Sequence, residues 1–207
     1  MSTSGATAIR RRPRPRGARQ SAAVSTLLLI GVATAVIIRI AVTGATWSSS
    51  AGATLLFSAI LLGLAASSGW RPGRPGGRAL GWGVVGAAVL CAPPALLRLL
   101  GAHSLAPPPA VPLLGWVPTV LVVAAAEEIL LRGALFDAVT AMFGDAAAVA
   151  VAAAAFAALH VPLYGWGAIP LDLAAGVWLG SLRVASGGVA APATAHALAD
   201  LAWWWLR

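Results

Sequence analysis

The stretch Val122–Phe136, "VVAAAEEILLRGALF", sets two adjacent glutamates, and an arginine four residues after the second of them, inside a run that is otherwise apolar. Such a run has the composition of a membrane-embedded helix. A charged side chain at mid-bilayer costs about 2.5–3.5 kcal/mol on insertion scales, so charges found there face the interior of a bundle and have a partner or a task. Adjacent helix positions differ by about 100° in direction, so Glu127 and Glu128 point to different neighbours. Glu128 stands four residues before Arg132, the favourable order for a helical ion pair. Glu127 is then the carboxylate left to face something else.

The rest of the chain has the same character. Its 207 residues are 59% hydrophobic and 10% charged, with a mean hydropathy of +0.87, whereas an average soluble domain carries about 25% charged residues. The composition is that of an all-α, polytopic helical membrane protein. Length and flanking breakers divide it into about seven transmembrane helices: Ala22–Thr43, Ala51–Gly69, Ala79–Leu100, Leu113–Phe143, Ala146–Leu163, Ala168–Ala185 and Val189–Leu206. The connectors "WRPGRPGGR" and "PPPAVP" punctuate them, and the fourth segment is long enough to hold two helices.

The net charge of +8 comes from 14 arginines without a lysine, and six of these lie between Arg10 and Arg19. Residues 1–20 read as a disordered basic tail. Beside a hydrophobic run such a tail contacts anionic lipid headgroups and fixes orientation, and no nucleic-acid partner is expected. The run that follows is longer than the roughly 7–15 residues of a signal-peptide core, which makes it an uncleaved first span. With the tail cytoplasmic, eleven of the 14 arginines fall inside, leaving Arg39, Arg98 and Arg207 outside. The expectation is a multi-pass plasma-membrane protein with its N-terminus in, its C-terminus out, and Trp203–Trp205 at the outer interface. Cys91 is the sole cysteine and permits no internal disulfide.

Few other ionisable groups lie in the apolar segments. His160 ends the fifth, four residues after Phe156; His196 and Asp200 share a face of the seventh. Each histidine alone reads as a hydrogen-bonded contact between helices. Counted at about 1.5 Å per residue, however, Glu127, His160 and His196 fall at compatible depths in a core about 30 Å thick. The Ala/Val-rich fifth segment allows the close helix approach that brings them together. A carboxylate and two histidines suit a base-activated hydrolytic water, or a divalent metal such as zinc held by Glu127, His160 and His196 with an open position for water. Buried polar groups of this kind also lock helices in a non-catalytic scaffold or form the relay of a proton-coupled transporter.

"EEILLR" (Glu127–Arg132), "FAALH" (Phe156–His160) and "HALAD" (His196–Asp200), in that order, resemble the three motifs of the CAAX-processing and bacteriocin-processing (CPBP, or Abi) intramembrane proteases. The resemblance covers about Val117–Trp203. The N-terminal membrane spans, residues 21–112, resemble nothing specific; the resemblance implies a catalytic membrane core over 113–207 that cuts membrane-associated protein or peptide substrates close to or inside the membrane. It further implies that Glu127 activates the water, that Glu128 supports it and pairs with Arg132, and that His160 and His196 position water and stabilise the oxyanion. Phe156 supports this group. Asp200 stands where better-studied members carry Asn; an ionised Asp cannot donate to an oxyanion, so orientation of His196 is an alternative role. The family has been described both as metal-dependent and as glutamate-based; a non-catalytic scaffold or bacteriocin self-immunity protein that keeps the polar set is the alternative. His103 reads as a loop surface residue, Asp172 as an interfacial acid or a cavity-lining one, and Tyr164 and Trp166 as interface anchors.

Overall fold

The chain forms helices because long Ala, Leu and Val runs can satisfy their backbone groups in lipid only within the segment itself. The computed structural model describes residues 17–43, 51–73, 75–101 and 112–206. Within them run α1 (Ala18–Thr43), α2 (Ala51–Ser67), α3 (Gly77–Leu99) and α4 (Leu113–Glu128). A π-helical segment, Ile129–Leu135, continues α4 directly into α5 (Phe136–Tyr164); a short 3₁₀ turn, Trp166–Ala168, leads to α6 (Ile169–Ser186), and α7 is Ala190–Leu206. The basic tail up to Arg16, Arg74, His103 and Arg207 lie outside the described residues.

Gly144 interrupts α5 with φ 80° and ψ 175°, a left-handed backbone that suits glycine. The chain reverses there. Arg132 reaches the carbonyl of Gly176 and Arg183 reaches Asp137, so the stretch before Gly144 runs parallel to α6. After the turn, Ala153 abuts Gly176 and Val149 abuts Gly180, an antiparallel pairing. Helices α3 and α7 run parallel at close range: a Cβ on Gly83 would lie 2.5 Å from the Thr194 Cβ, and one on Gly86 3.1 Å from that of Ala195. Where lipid supplies no hydrophobic drive between helices, such small-residue contacts provide the packing. Leucines and isoleucines such as Leu27, Ile37 and Leu96 point outward, as lipid-facing positions do.

Among the described residues four helical stretches are long and apolar enough to cross a membrane, Arg19–Val42, Gly77–Leu99, Leu113–Tyr164 and Trp166–Ser186, and not the seven that the sequence pattern predicts. By length and composition this is the build of a multi-pass membrane protein. The count falls for two physical reasons. Helices α2 and α7 have 17 residues each, which at 1.5 Å per residue reach about 25 Å, short of a core about 30 Å thick. The fourth and fifth predicted spans are continuous in one 52-residue apolar run, which reverses at Gly144, between the two predicted segments.

Candidate active site

The two glutamates close α4, and the backbone changes register immediately after them. Phe136 N–H donates to Leu131 O, five residues back, as well as to Gly133 O. π-Helical turns inside α-helices are frequent at functional sites. Across the junction Arg132 Nη1 donates to Glu128 Oε1 at 2.8 Å, with both side chains fully buried. The guanidinium also donates through Nη2 to the Gly176 carbonyl at 3.1 Å and lies 4.8 Å over the Phe156 ring. Gly176 is required for that approach, because a Cβ there would sit 2.7 Å from the Ala153 Cα. A buried pair holds only with such added contacts, since desolvation of two ions otherwise exceeds their attraction. Glu128 Oε2 and Arg132 Nε are buried without a hydrogen-bond partner.

Glu128 also holds α7. His196 Nδ1 stands 3.0 Å from Glu128 Oε1, the same oxygen that accepts Arg132. A carboxylate paired with Arg accepts only, so the proton sits on Nδ1 and His196 donates. Its other nitrogen, Nε2, is 4.0 Å from Glu127 Oε2 and 3.4 Å from Asp200 Oδ2. The first distance is too long for a direct hydrogen bond and short enough for a single water to bond both groups. Glu127 is 5% exposed and His196 5%, whereas the Asp200 side chain is 39% exposed, so the cluster runs from the buried ion pair to an accessible rim.

His160 has a matching arrangement. Its Nδ1 is 2.9 Å from the Phe156 carbonyl, which can only accept, so Nε2 is again the nitrogen left for chemistry. The Phe156 ring packs edge-on against both imidazoles, at 4.4 Å from His160 and 5.3 Å from His196. One aromatic ring therefore contacts Arg132, His160 and His196. The structure thus gathers Glu127, Glu128, Arg132, Phe156, His160, His196 and Asp200 from α4, the π-helical segment, α5 and α7.

Among the described residues no three of His, Cys, Asp and Glu are grouped so as to hold a metal ion. The set Glu127, His160 and His196, the alternative for a metal-dependent reaction, is not gathered as one metal site.

Several neighbours have no motif to mark them in the sequence. Tyr164 stacks on His160 with ring centroids 5.3 Å apart, a contact beyond an interface anchor. Asp172 has a buried carboxylate oxygen, Oδ2, with no hydrogen-bond partner, and acts electrostatically on His160. Arg39 of α1, expected at the outer side, lies 4.8 Å over the Phe57 ring and within electrostatic range of Glu127. At the far end of the π-helical segment, Asp137 binds Trp70 and Arg183. Only charge in an apolar run flags Asp172, Arg39, Asp137 and Arg183 in advance; nothing in the sequence announces the π-helix or Trp70.

No match is found among curated proteins or among solved structures. Residues 109–202, which contain every residue of the cluster, match the family model of the Rce1-like type II CAAX prenyl endopeptidases, and over these residues the chain is similar to that family.

Proposed function

We propose that the protein is an intramembrane endopeptidase that hydrolyses peptide bonds of membrane-associated protein or peptide substrates with a water activated by Glu127. The observation that carries this reading is the 4.0 Å gap between Glu127 Oε2 and His196 Nε2, beside a fully buried Glu128–Arg132 pair. The match of residues 109–202 to the Rce1-like family model supports the same reaction class.

Glu127 removes a proton from the water held between it and His196 as the oxygen attacks the peptide carbonyl, and then passes that proton to the leaving amine. A positioned general base contributes about 10²–10⁴-fold. Glu128 is the less suited carboxylate, because Oε1 already accepts both Arg132 and His196 and Oε2 is buried away from water. His160 and His196 present Nε2, bonding the water when neutral and the oxyanion when protonated. As an acceptor, Asp200 at 3.4 Å from His196 Nε2 orients that ring and compensates its charge.

Arg71, Asp137, Arg183 and the starts of α3 and α7 surround one cavity of about 270 Å³. We place this end in the cytoplasm by the positive-inside rule. Since α7 runs parallel to α3 and away from it, its far end, where Trp204 packs at 5.2 Å against Trp116, lies toward the outer side.

The buried ion pair would serve a non-catalytic scaffold equally well, and the test separates the two. Membrane peptides from cells carrying the intact gene are compared with those from cells carrying a Glu127→Ala version. Peptides released only by the intact protein identify an enzyme and its substrate; matching profiles identify a scaffold.

A further inference from the structure

The helix carrying Arg132 is held at its far end by residues outside the motifs. Asp137 Oδ2 accepts Trp70 Nε1 at 2.8 Å, and Oδ1 accepts Arg183 Nη2 at 2.8 Å. The same guanidinium donates through Nε to the backbone carbonyl of Arg132 at 2.9 Å. In a regular α-helix that carbonyl would accept Phe136 N–H. Here Phe136 N–H goes to Leu131 O and Gly133 O instead, so the π-helical register opens the acceptor that Arg183 occupies. Trp70 lies flat against Gly133, where a Cβ would sit 2.7 Å from Cζ2 of the ring. Arg183 also stacks 5.3 Å from the Phe136 ring. Side chains from two other parts of the chain thus grip Arg132, Gly133, Phe136 and Asp137.

We propose that Trp70, Asp137 and Arg183 form a latch that fixes the π-helical register and thereby positions Glu128 and Arg132 for the reaction. The inference rests on the hydrolytic reading above. It gives the connector between α2 and α3, which lies outside residues 109–202, a part in catalysis. The three are positioning residues, acting through the backbone of Arg132. With side-chain exposures of 16% for Arg183 and 44% for Asp137, their ion pair contributes little to stability. Its effect is geometric. If the register relaxes, Arg132 O is reclaimed by Phe136 N–H and the guanidinium is drawn off Glu128, Gly176 and Phe156.

The test uses the full-length protein in lipid nanodiscs, with Asp137→Asn, Trp70→Phe, their double variant, Asp137→Glu and, as control, Glu127→Gln. Cleavage of an internally quenched, farnesylated peptide with a CAAX-type C-terminus is measured alongside amide hydrogen exchange. Asp137→Asn is expected to lower kcat by about tenfold or more, as small misplacements do, with KM unchanged and faster exchange at residues 129–137 but not in α3. The double variant is expected to be no slower than Asp137→Asn, and Asp137→Glu to recover much of the rate. Unchanged exchange at 129–137, or an unchanged kcat beside an inactive Glu127→Gln, overturns the latch alone. Wild-type cleavage by Glu127→Gln overturns the hydrolytic reading and the latch with it.

Discussion

His196 and Arg132, from different helices, donate to the same oxygen of Glu128, at 3.0 and 2.8 Å. That shared acceptor makes the two adjacent glutamates unequal. Glu128 is fully buried and is the electrostatic anchor of two helices, while Glu127 faces His196 across a gap one water can fill.

Stability should follow this division. Removing one partner of a buried pair leaves an uncompensated charge, at a cost of about 3–5 kcal/mol. Glu128→Ala is therefore expected to lower the thermal unfolding temperature in detergent sharply. Glu127→Gln, which breaks no ion pair of this kind, is expected to leave it nearly unchanged.

Gly176→Ala tests whether close helix approach supports the site. The new Cβ would meet backbone and side-chain atoms of Ala153 at 2.7–3.2 Å, so α6 must move away and draw its carbonyl from Arg132. Overpacking of this kind costs about 1–3 kcal/mol. Both stability and activity should fall, with Ala153→Gly in the same chain restoring part of each.

Phe156→Leu keeps an apolar side chain and removes the ring shared by Arg132, His160 and His196. The lost cation–π contact alone is worth about 2 kcal/mol when desolvated. A lower unfolding temperature with a larger fractional loss of kcat than of stability is the expected pattern, measured on the same nanodisc samples.

Chelators address the donor set. Since Glu127, His160 and His196 are not grouped to hold an ion, 1,10-phenanthroline is expected to leave the cleavage rate unchanged. Loss of activity that added zinc restores would show that the donors regroup around a metal.

The helical class was legible because hydropathy and breakers report directly on what a bilayer permits. The Glu128–Arg132 pair was legible for a similarly local reason, four-residue spacing on one helix. The same spacing placed His160 on the Phe156 carbonyl and His196 beside Asp200. What the sequence could not supply was backbone register. No residue type encodes the π-helix at Ile129–Leu135, which Arg183 and Trp70 contact from elsewhere in the chain. The span count failed at the same level, since two 17-residue helices are not resolved by apolar length alone, whereas the break expected between Phe143 and Ala146 falls at Gly144.

The most direct measurement is cleavage of one defined peptide by the wild-type protein and by Glu127→Gln, both reconstituted in lipid at equal amounts and matched unfolding temperature, with products identified by mass. Glu127 as the general base predicts a rate lower by about 10²-fold or more in the variant, with substrate binding retained. Cleavage by Glu127→Gln at the wild-type rate and the same bond would contradict it.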